Sequence, residues 1–251
     1  MSKEFIVVQI SDSHLFADTS GLHHDTNVYQ NLIKVLQNIK QLPHVDIIVF
    51  TGDLTQDHTD ASYQLFVQAF NACEIITPVY YLAGNHDEPK LLNHHLASAP
   101  FCQENVIETK HWQILLIESK SDTPAGEVTQ QQFSQVANAI NAKKSQLLLM
   151  HHHPVDAGFF IDQHGLNNQQ QFCDFLDAFP SIAAVGCGHI HQALTLPMAL
   201  TKRIVNLYSC PATSIQFDVT SATVAKNNQG PGFRQFILKA DKQLFTDVTF
   251  I

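Results

Sequence analysis

The chain has 251 residues, 45% of them apolar and 15% charged, with a formal net charge of -9. That is enough for one full-sized core and too acidic for a general nucleic-acid binder, which needs clustered Lys and Arg to neutralise phosphates. No run approaches the ~20 apolar residues of a membrane span, and the first apolar run, Phe5–Ile10, is too short for a signal peptide's hydrophobic region, so a soluble, cytoplasmic protein is expected.

Taken in chain order, short apolar runs alternate with helical patterns. Phe5–Ile10 reads as a strand and ends in Ser11-Asp12-Ser13-His14. Leu32, Val35, Leu36 and Ile39 recur at helical spacing and predict a helix over Tyr29–Leu42. Asp46–Phe50 is a second strand, ending in Thr51-Gly52-Asp53, and Ser62–Phe70 a second helix. Pro78–Leu82 predicts a third strand, which leads to Gly84-Asn85-His86-Asp87. Gln113–Glu118 is followed by a helical pattern over Thr129–Ala142, where Thr129 and Gln132 stand at capping-box spacing. Gln146–Met150 runs into His151-His152-His153-Pro154, and after a helix over Gln169–Phe179 the run Ile182–Val185 leads into Gly188-His189-Ile190-His191.

Beyond residue 190 the helices stop. Ile204–Tyr208, Ser214–Phe217, Phe233–Lys239 and Leu244–Phe250 predict successive strands. The pattern is α/β with a mainly β C-terminal part, which implies two packed sheets flanked by helices in one domain, 1–251. Five cysteines, at 73, 102, 173, 187 and 210, form no CxxC pair. An odd number at irregular spacing argues against a disulfide framework.

The informative residues lie at strand ends, where α/β sheets build their sites. Carboxylates and imidazoles are ligands of first-row divalent metals. Asp12-x-His14 and His189-x-His191 each put two donors on one side of an extended segment, and glycines before Asp53, Asn85 and His189 allow the turns that bring donors together. In the histidine triplet, alternation puts His151 and His153 on one side and His152 on the other. Closeness to the strand favours His151 as a donor, with His153 the second choice.

Together these blocks, D-x-H, G-D, G-N-H-D, H and G-H-x-H in order, resemble the signature of the calcineurin-like metallophosphoesterase superfamily. Gly52-Asp53-Leu54-Thr55, His151-His152-His153-Pro154 and Gly188-His189-Ile190-His191-Gln192, continued by Ser214-Ile215-Gln216-Phe217 and Gly230-Pro231-Gly232-Phe233-Arg234, are similar to bacterial class III 3′,5′-cyclic-AMP phosphodiesterases. The resemblance implies a four-layer α/β/β/α sandwich of two mixed sheets. It implies Asp12, His14, Asp53 and His191 around one metal ion, and Asp53, Asn85, His151 and His189 around a second. Iron or manganese suits such mixed N/O ligation, and zinc is an alternative.

His86 is then catalytic, Asn85 and His86 meet the substrate, and His153 meets the substrate or a neighbouring ligand. A hydroxide bridging the metals attacks cyclic AMP and yields 5′-AMP, and His86, if protonated, stabilises the phosphoryl oxygens or protonates the leaving oxygen. Asp87 either orients His86 or caps a helix, and His58, where relatives often have glycine, reads as a solvated loop residue. Alternatives are a glycerophosphodiester or 2′,3′-cyclic nucleotide as substrate, or a metal-stabilised binding protein without catalysis; the presence of His86 argues against the last. A small-molecule phosphodiester, no nucleic acid, no membrane, and a monomer or homodimer are expected.

Overall fold

A computed structural model describes residues 4–251 of the chain. In chain order its elements are β1 (Phe5–Ile10), β2 (Leu22–His23), β3 (Thr26–Asn27), α1 (Val28–Lys40), β4 (Ile47–Phe50), α2 (Asp60–Ala72), β5 (Val79–Tyr81), α3 (Pro89–His95), β6 (Phe101–Cys102), β7 (Val106–Glu108) and β8 (Trp112–Leu116). There follow α4 (Gln130–Ala139), β9 (Ser145–Met150), a 3-10 turn (Phe160–His164), α5 (Gln169–Ala178), β10 (Ile182–Cys187), β11 (Thr195–Ala199), β12 (Ile204–Ser209), β13 (Gly232–Leu238) and β14 (Leu244–Phe250).

Two six-stranded mixed sheets result, in the orders β14-β13-β1-β4-β5-β6 and β11-β12-β10-β9-β8-β7. In the first, β1, β4, β5 and β6 are parallel, and β13 closes antiparallel on β1. In the second, β8, β9, β10 and β12 are parallel, with β7 and β11 antiparallel at the edges. The inner strands β4, β8 and β9 are buried on both faces, which is why they read as largely apolar runs.

Alternation along single strands assigns the layers. Val7 and Val49 point between the sheets, with Leu147, Leu149, Trp112 and Phe236. Their neighbours Val8, Ile48 and Phe50 face α1 and α2, meeting Leu32, Leu36, Phe66 and Phe70. In the second sheet Leu148 and Met150 face the opposite way from Leu147 and Leu149, onto Phe133 of α4 and Phe172 of α5. Three separate apolar interfaces make four layers, as expected. Thr129 caps α4 with a full capping box through Gln132, and no helix among the described residues is long and apolar enough to cross a membrane.

One predicted strand is absent. Ser214–Phe217 forms a strap outside both sheets, bonded to the loop after β1: Thr213 N–H donates to Ser11 O at 2.9 Å and Ser214 Oγ–H to Asp12 O at 2.6 Å. Its apolar residues are buried against the 3-10 turn, where Ile215 and Phe217 pack on Ile161 and Phe160; the run is apolar for that reason and not because it joins a sheet, its one bridge being Phe217 to Lys226. The elements not predicted are α3, the 3-10 turn and five short strands, β2, β3, β6, β7 and β11.

Candidate metal centre

The polar strand ends converge on one edge of the sandwich, but not by strand geometry. Asp12, His14, Asp53, His189 and His191 all have positive φ, at 56°, 44°, 58°, 64° and 51°. The D-x-H and G-H-x-H pairs therefore share a side through left-handed turns, which corrects the expectation of extended segments. Non-glycine residues avoid this region, and such strain concentrates where function holds it in place. The fit is tight: a Cβ on Gly84 would collide with Asp53 Oδ1, and Gly52, at φ 96°, packs against the Gly84 backbone.

Asp53 sits between two groups of donors. On one side His14 Nε2 lies 3.6 Å from Asp53 Oδ2 and 3.2 Å from His191 Nε2, and His191 Nε2 lies 3.3 Å from Asp12 Oδ1. On the other, His151 Nε2 lies 3.5 Å from Asp53 Oδ2 and 3.1 Å from Asn85 Oδ1. Ligands about 2.0–2.2 Å from a first-row divalent ion stand about 3–3.5 Å from each other, so these separations are edges of coordination polyhedra. His189 Nε2 is buried with no hydrogen-bond partner, which a metal ion explains. Two divalent ions fit this donor set.

Each ring is aimed by its other nitrogen. His151 Nδ1–H donates to Thr51 O at 2.7 Å and His191 Nδ1–H to Ile215 O at 2.8 Å. Carbonyl oxygens only accept, so both Nε2 lone pairs point to the centre. His14 Nδ1 pairs with Gln56 Oε1 at 2.8 Å. Asp12 accepts the backbone N–H of His189 at 3.0 Å, joining the first motif to the last.

Charge follows this geometry. Burial opposes charge on His151, but the Asp53 carboxylate overcomes it and holds the imidazole up at about 9. Burial likewise pushes Asp53 up, and His151 with His14 brings it well below the usual carboxylate range. Burial lowers His14 and His189; neutral imidazole is the form that binds metal. His86 is also lowered by burial, against Asp53, which favours its neutral form.

The histidine triplet does not alternate, because residues 151 and 152 form a bend, and all three side chains are buried around His189. His152 comes close enough to His151 and His189 to share an ion. Both its nitrogens are engaged, however: Nε2–H donates to Pro124 O at 3.2 Å, which leaves Nδ1 to accept from Ser119 Oγ–H at 2.9 Å. His153 stacks on His189 at 5.6 Å and pairs with Asp162 at 3.3 Å. It is fully buried and absent from the cavity lining, so of its two expected contacts, the substrate or a neighbouring ligand, the structure places it against His189.

His86 lines the cavity with Nδ1 buried and unpartnered, and stands edge-on to His14 at 4.9 Å. His58 is exposed as expected, but it is held: φ 58° explains why glycine suits the position, its ring lies parallel to His86 at 5.7 Å, and Nδ1–H donates to His86 O at 2.8 Å. Asp87 neither orients His86 nor caps α3, whose N-cap is Glu88. Its buried carboxylate accepts the N–H groups of Asp53 (2.8 Å), Leu54 (2.9 Å) and Gly84 (2.9 Å). Burial, with Asp53 nearby, pushes its pKa up to about 7.

Over the donors opens a cavity of about 490 Å³, within the range of small-molecule sites. Among the described residues Asp53 is its only acidic lining residue, and no Lys or Arg lines it. Residues that sequence reasoning did not find include His23, Phe160 and Phe217; Phe217 lies flat on His191 with ring centroids 3.9 Å apart. No spacing marks them, since they reach the site from a hairpin, a turn and the strap.

Comparison with known proteins agrees with this geometry. The chain is 52% identical over 246 residues, covering 97% of it and 94% of the relative, to a "Probable cyclic nucleotide phosphodiesterase" of Colwellia psychrerythraea. It is 34% identical to the 3′,5′-cyclic adenosine monophosphate phosphodiesterase CpdA of Escherichia coli, over 96% of the chain and 88% of that protein. Its fold matches a dimetal phosphatase from Danio rerio with a TM-score of 0.64 at 12% identity, covering 93% of this chain and 92% of that one. The model of the calcineurin-like phosphoesterase family matches residues 5–193, which hold every donor described above. By its sequence, its sandwich and the paired donors around Asp53, the chain belongs to the calcineurin-like phosphoesterases, metal-dependent hydrolases of phosphoester bonds.

Proposed function

We propose that this chain, read as a single domain over 1–251, hydrolyses 3′,5′-cyclic AMP to 5′-AMP. The observation that carries the reading is the cavity: a dinuclear donor set at its floor and an uncharged, partly aromatic remainder. Without Lys or Arg in the lining, the phosphate's charge falls to the metal ions. Apart from Asp53, no acid lines the cavity to receive a cationic head group, which favours a nucleotide over a glycerophosphodiester with an amine. Relatives named for cyclic-nucleotide hydrolysis over nearly the whole chain support the same substrate.

The reading assigns Asp12, His14, Asp53 and His191 to one ion and Asp53, Asn85, His151 and His189 to the other, with Asp53 shared. When bound, the ions supply an acidified water and polarisation of the phosphoryl oxygens. His86 directs an uncharged N–H at the phosphoryl group, where it stabilises charge that builds on the oxygens during in-line attack. The oxygen of the water bonds to phosphorus as the P–O3′ bond breaks, and the 3′-oxygen takes up the proton that the water gives up. His86 is placed by its backbone N–H, which donates to Asp53 Oδ1 at 2.8 Å, and by His58. Lys120 Nζ, bonded to Asn85 O at 2.9 Å, fixes the neighbouring turn.

An N/O donor set without thiolate suits iron or manganese, with zinc an alternative. All five cysteines are free, which fits a reducing cytoplasm and a small-molecule substrate there. The test is kcat/KM for cyclic AMP, cyclic GMP, 2′,3′-cyclic AMP and glycerophosphodiesters with enzyme reconstituted in each metal. Cyclic AMP is expected to lead the panel. A preference for a glycerophosphodiester would replace the reading.

A further inference from the structure

We propose that the half of the cavity facing away from the metal centre is a nucleoside subsite, in which His23 hydrogen-bonds the ribose 2′-hydroxyl and the Phe160–Phe217 wall carries the base. The inference rests on the cyclic-nucleotide reading above and adds the residues that recognise the organic part of the substrate.

The cavity divides by chemistry. Part of its lining is the donors around Asp53, and the rest includes the apolar Phe160, Ile161, Phe217 and Val224 together with His23 and His24. Phe217 lies parallel to His191 within 4° at 3.9 Å, and Phe160 meets Phe217 at 5.2 Å and 55°. The apolar wall therefore begins one ring beyond the centre. A phosphodiester held at the centre must send its organic part along this wall, and a planar heteroaromatic base gains most there, because it stacks on aromatic side chains.

His23 supplies the polar side. Its ring centroid is 5.2 Å from that of His14, so it stands one imidazole away from the centre, at the depth of the sugar rather than the base. Its Nδ1 is buried and has no partner. A buried polar atom without a hydrogen bond is costly, and one that lines a cavity is satisfied by what enters it. The residue is also held in place. It ends β2 of a hairpin paired His23 to Thr26, whose turn residues His24 and Asp25 have φ 45° and 60°; two left-handed residues make the turn that suits a two-residue hairpin. Lys226 Nζ–H donates to Thr26 Oγ1 at 2.9 Å, tying this hairpin to the loop whose Thr223 and Val224 form the cavity rim. A fixed imidazole can donate to or accept from a hydroxyl, and the ribose 2′-hydroxyl is the group of cyclic AMP that adjoins the reacting 3′-oxygen.

The experiment compares metal-loaded wild type, His23→Ala, His23→Gln and Phe160→Ala on cyclic AMP, 2′-deoxy-cyclic AMP and bis(4-nitrophenyl) phosphate, which has no nucleoside. Wild type is expected to prefer cyclic AMP over the 2′-deoxy substrate by about tenfold or more in kcat/KM, the scale of one lost hydrogen bond that leaves its buried partner unsatisfied. In His23→Ala that ratio should collapse towards one, and His23→Gln, which keeps a polar group, should restore part of it. Phe160→Ala should raise KM for cyclic AMP about tenfold, while its ratio of cyclic AMP to 2′-deoxy substrate persists. Equal loss on all three substrates in His23→Ala would mean that His23 only supports His14, and the subsite assignment would fall. A wild type that cleaves bis(4-nitrophenyl) phosphate but not cyclic AMP would remove the function reading itself, a result separable from the first.

Discussion

The carboxylate of Asp87 accepts the backbone N–H of Asp53 at 2.8 Å, so one buried acid aims another. The same carboxylate takes the N–H groups of Leu54 and Gly84, which fixes the turn that presents Asp53 between the two donor groups. Asp87→Asn puts an amide NH2 where these N–H groups point. It should destabilise the protein by about 2–4 kcal/mol, the range for breaking a buried charged hydrogen-bond network, and also lower activity. Denaturant unfolding and metal analysis of the variant check this; a variant as stable and as fully loaded as wild type contradicts the role.

Asp53 itself serves both proposed ions. Asp53→Ala should lose both together and fall to background activity. Elemental analysis of the folded variant decides the matter, and one ion retained at full occupancy would show that the carboxylate does not bridge.

His86 should affect chemistry and leave the metals in place: a ring nitrogen lies within 4.8 Å of donor atoms of His14 and Asp53, but both ions have their donors without it, and the residue is held by its backbone N–H on Asp53 Oδ1 and by His58. His86→Ala is expected to keep near-normal metal content while kcat falls about 10²-fold, the scale of a lost proton-donating group. Loss of an ion in this variant would make His86 a ligand.

For the triplet, His151→Ala should lower occupancy of the ion shared with Asn85. His152→Ala and His153→Ala should retain both ions, because His152 has both nitrogens bonded and His153 stacks behind His189. Metal stoichiometry of the three single variants separates these roles.

The sequence contained more of this site than of its supports. Asp12, Asp53, Asn85, His151, His189 and His191 could be read because each follows an apolar strand closely, and a parallel sheet gathers those ends on one edge. The conformation behind the motifs was hidden, since D-x-H looks the same in a pleat as in the left-handed turns found at φ 56° and 44°. Strands with continuous apolar runs were legible, whereas β2, β3 and β6, of two residues each, carry no periodicity. The Ser214–Phe217 strap shows the opposite error. Burial against Ile161 and Phe160 produces the composition of a strand, while Phe217 makes only an isolated bridge to Lys226 and the run joins neither sheet.

The Asp53–His151 pair also gives stability a pH dependence. With no ion bound, the folded state raises His151 from 6.5 to about 9. A raised imidazole contributes stability that is complete below about pH 6.5 and lost as pH rises through about 9. Metal binding needs the neutral ring and therefore strengthens over the same window. Between pH 6.5 and 9, the Tm of chelator-treated protein should fall through this contribution, while the gap between it and metal-loaded protein widens. Thermal scans of both forms, with His151→Ala as control, test the two opposite slopes.

The donors come from both halves of the sandwich. Asp12, His14, Asp53 and Asn85 follow β1, β4 and β5 of one sheet, whereas His151, His189 and His191 follow β9 and β10 of the other. At the opposite edge Trp112, which opens β8, donates its indole N–H to Lys239 O, just past β13, at 2.8 Å. The molecule is thus built like a book with a spine at Trp112 and a clasp at Asp53. Removing the ions undoes the clasp and leaves the spine, so amide exchange should quicken first in the turns at 11–14, 51–55 and 188–191, and last around Trp112.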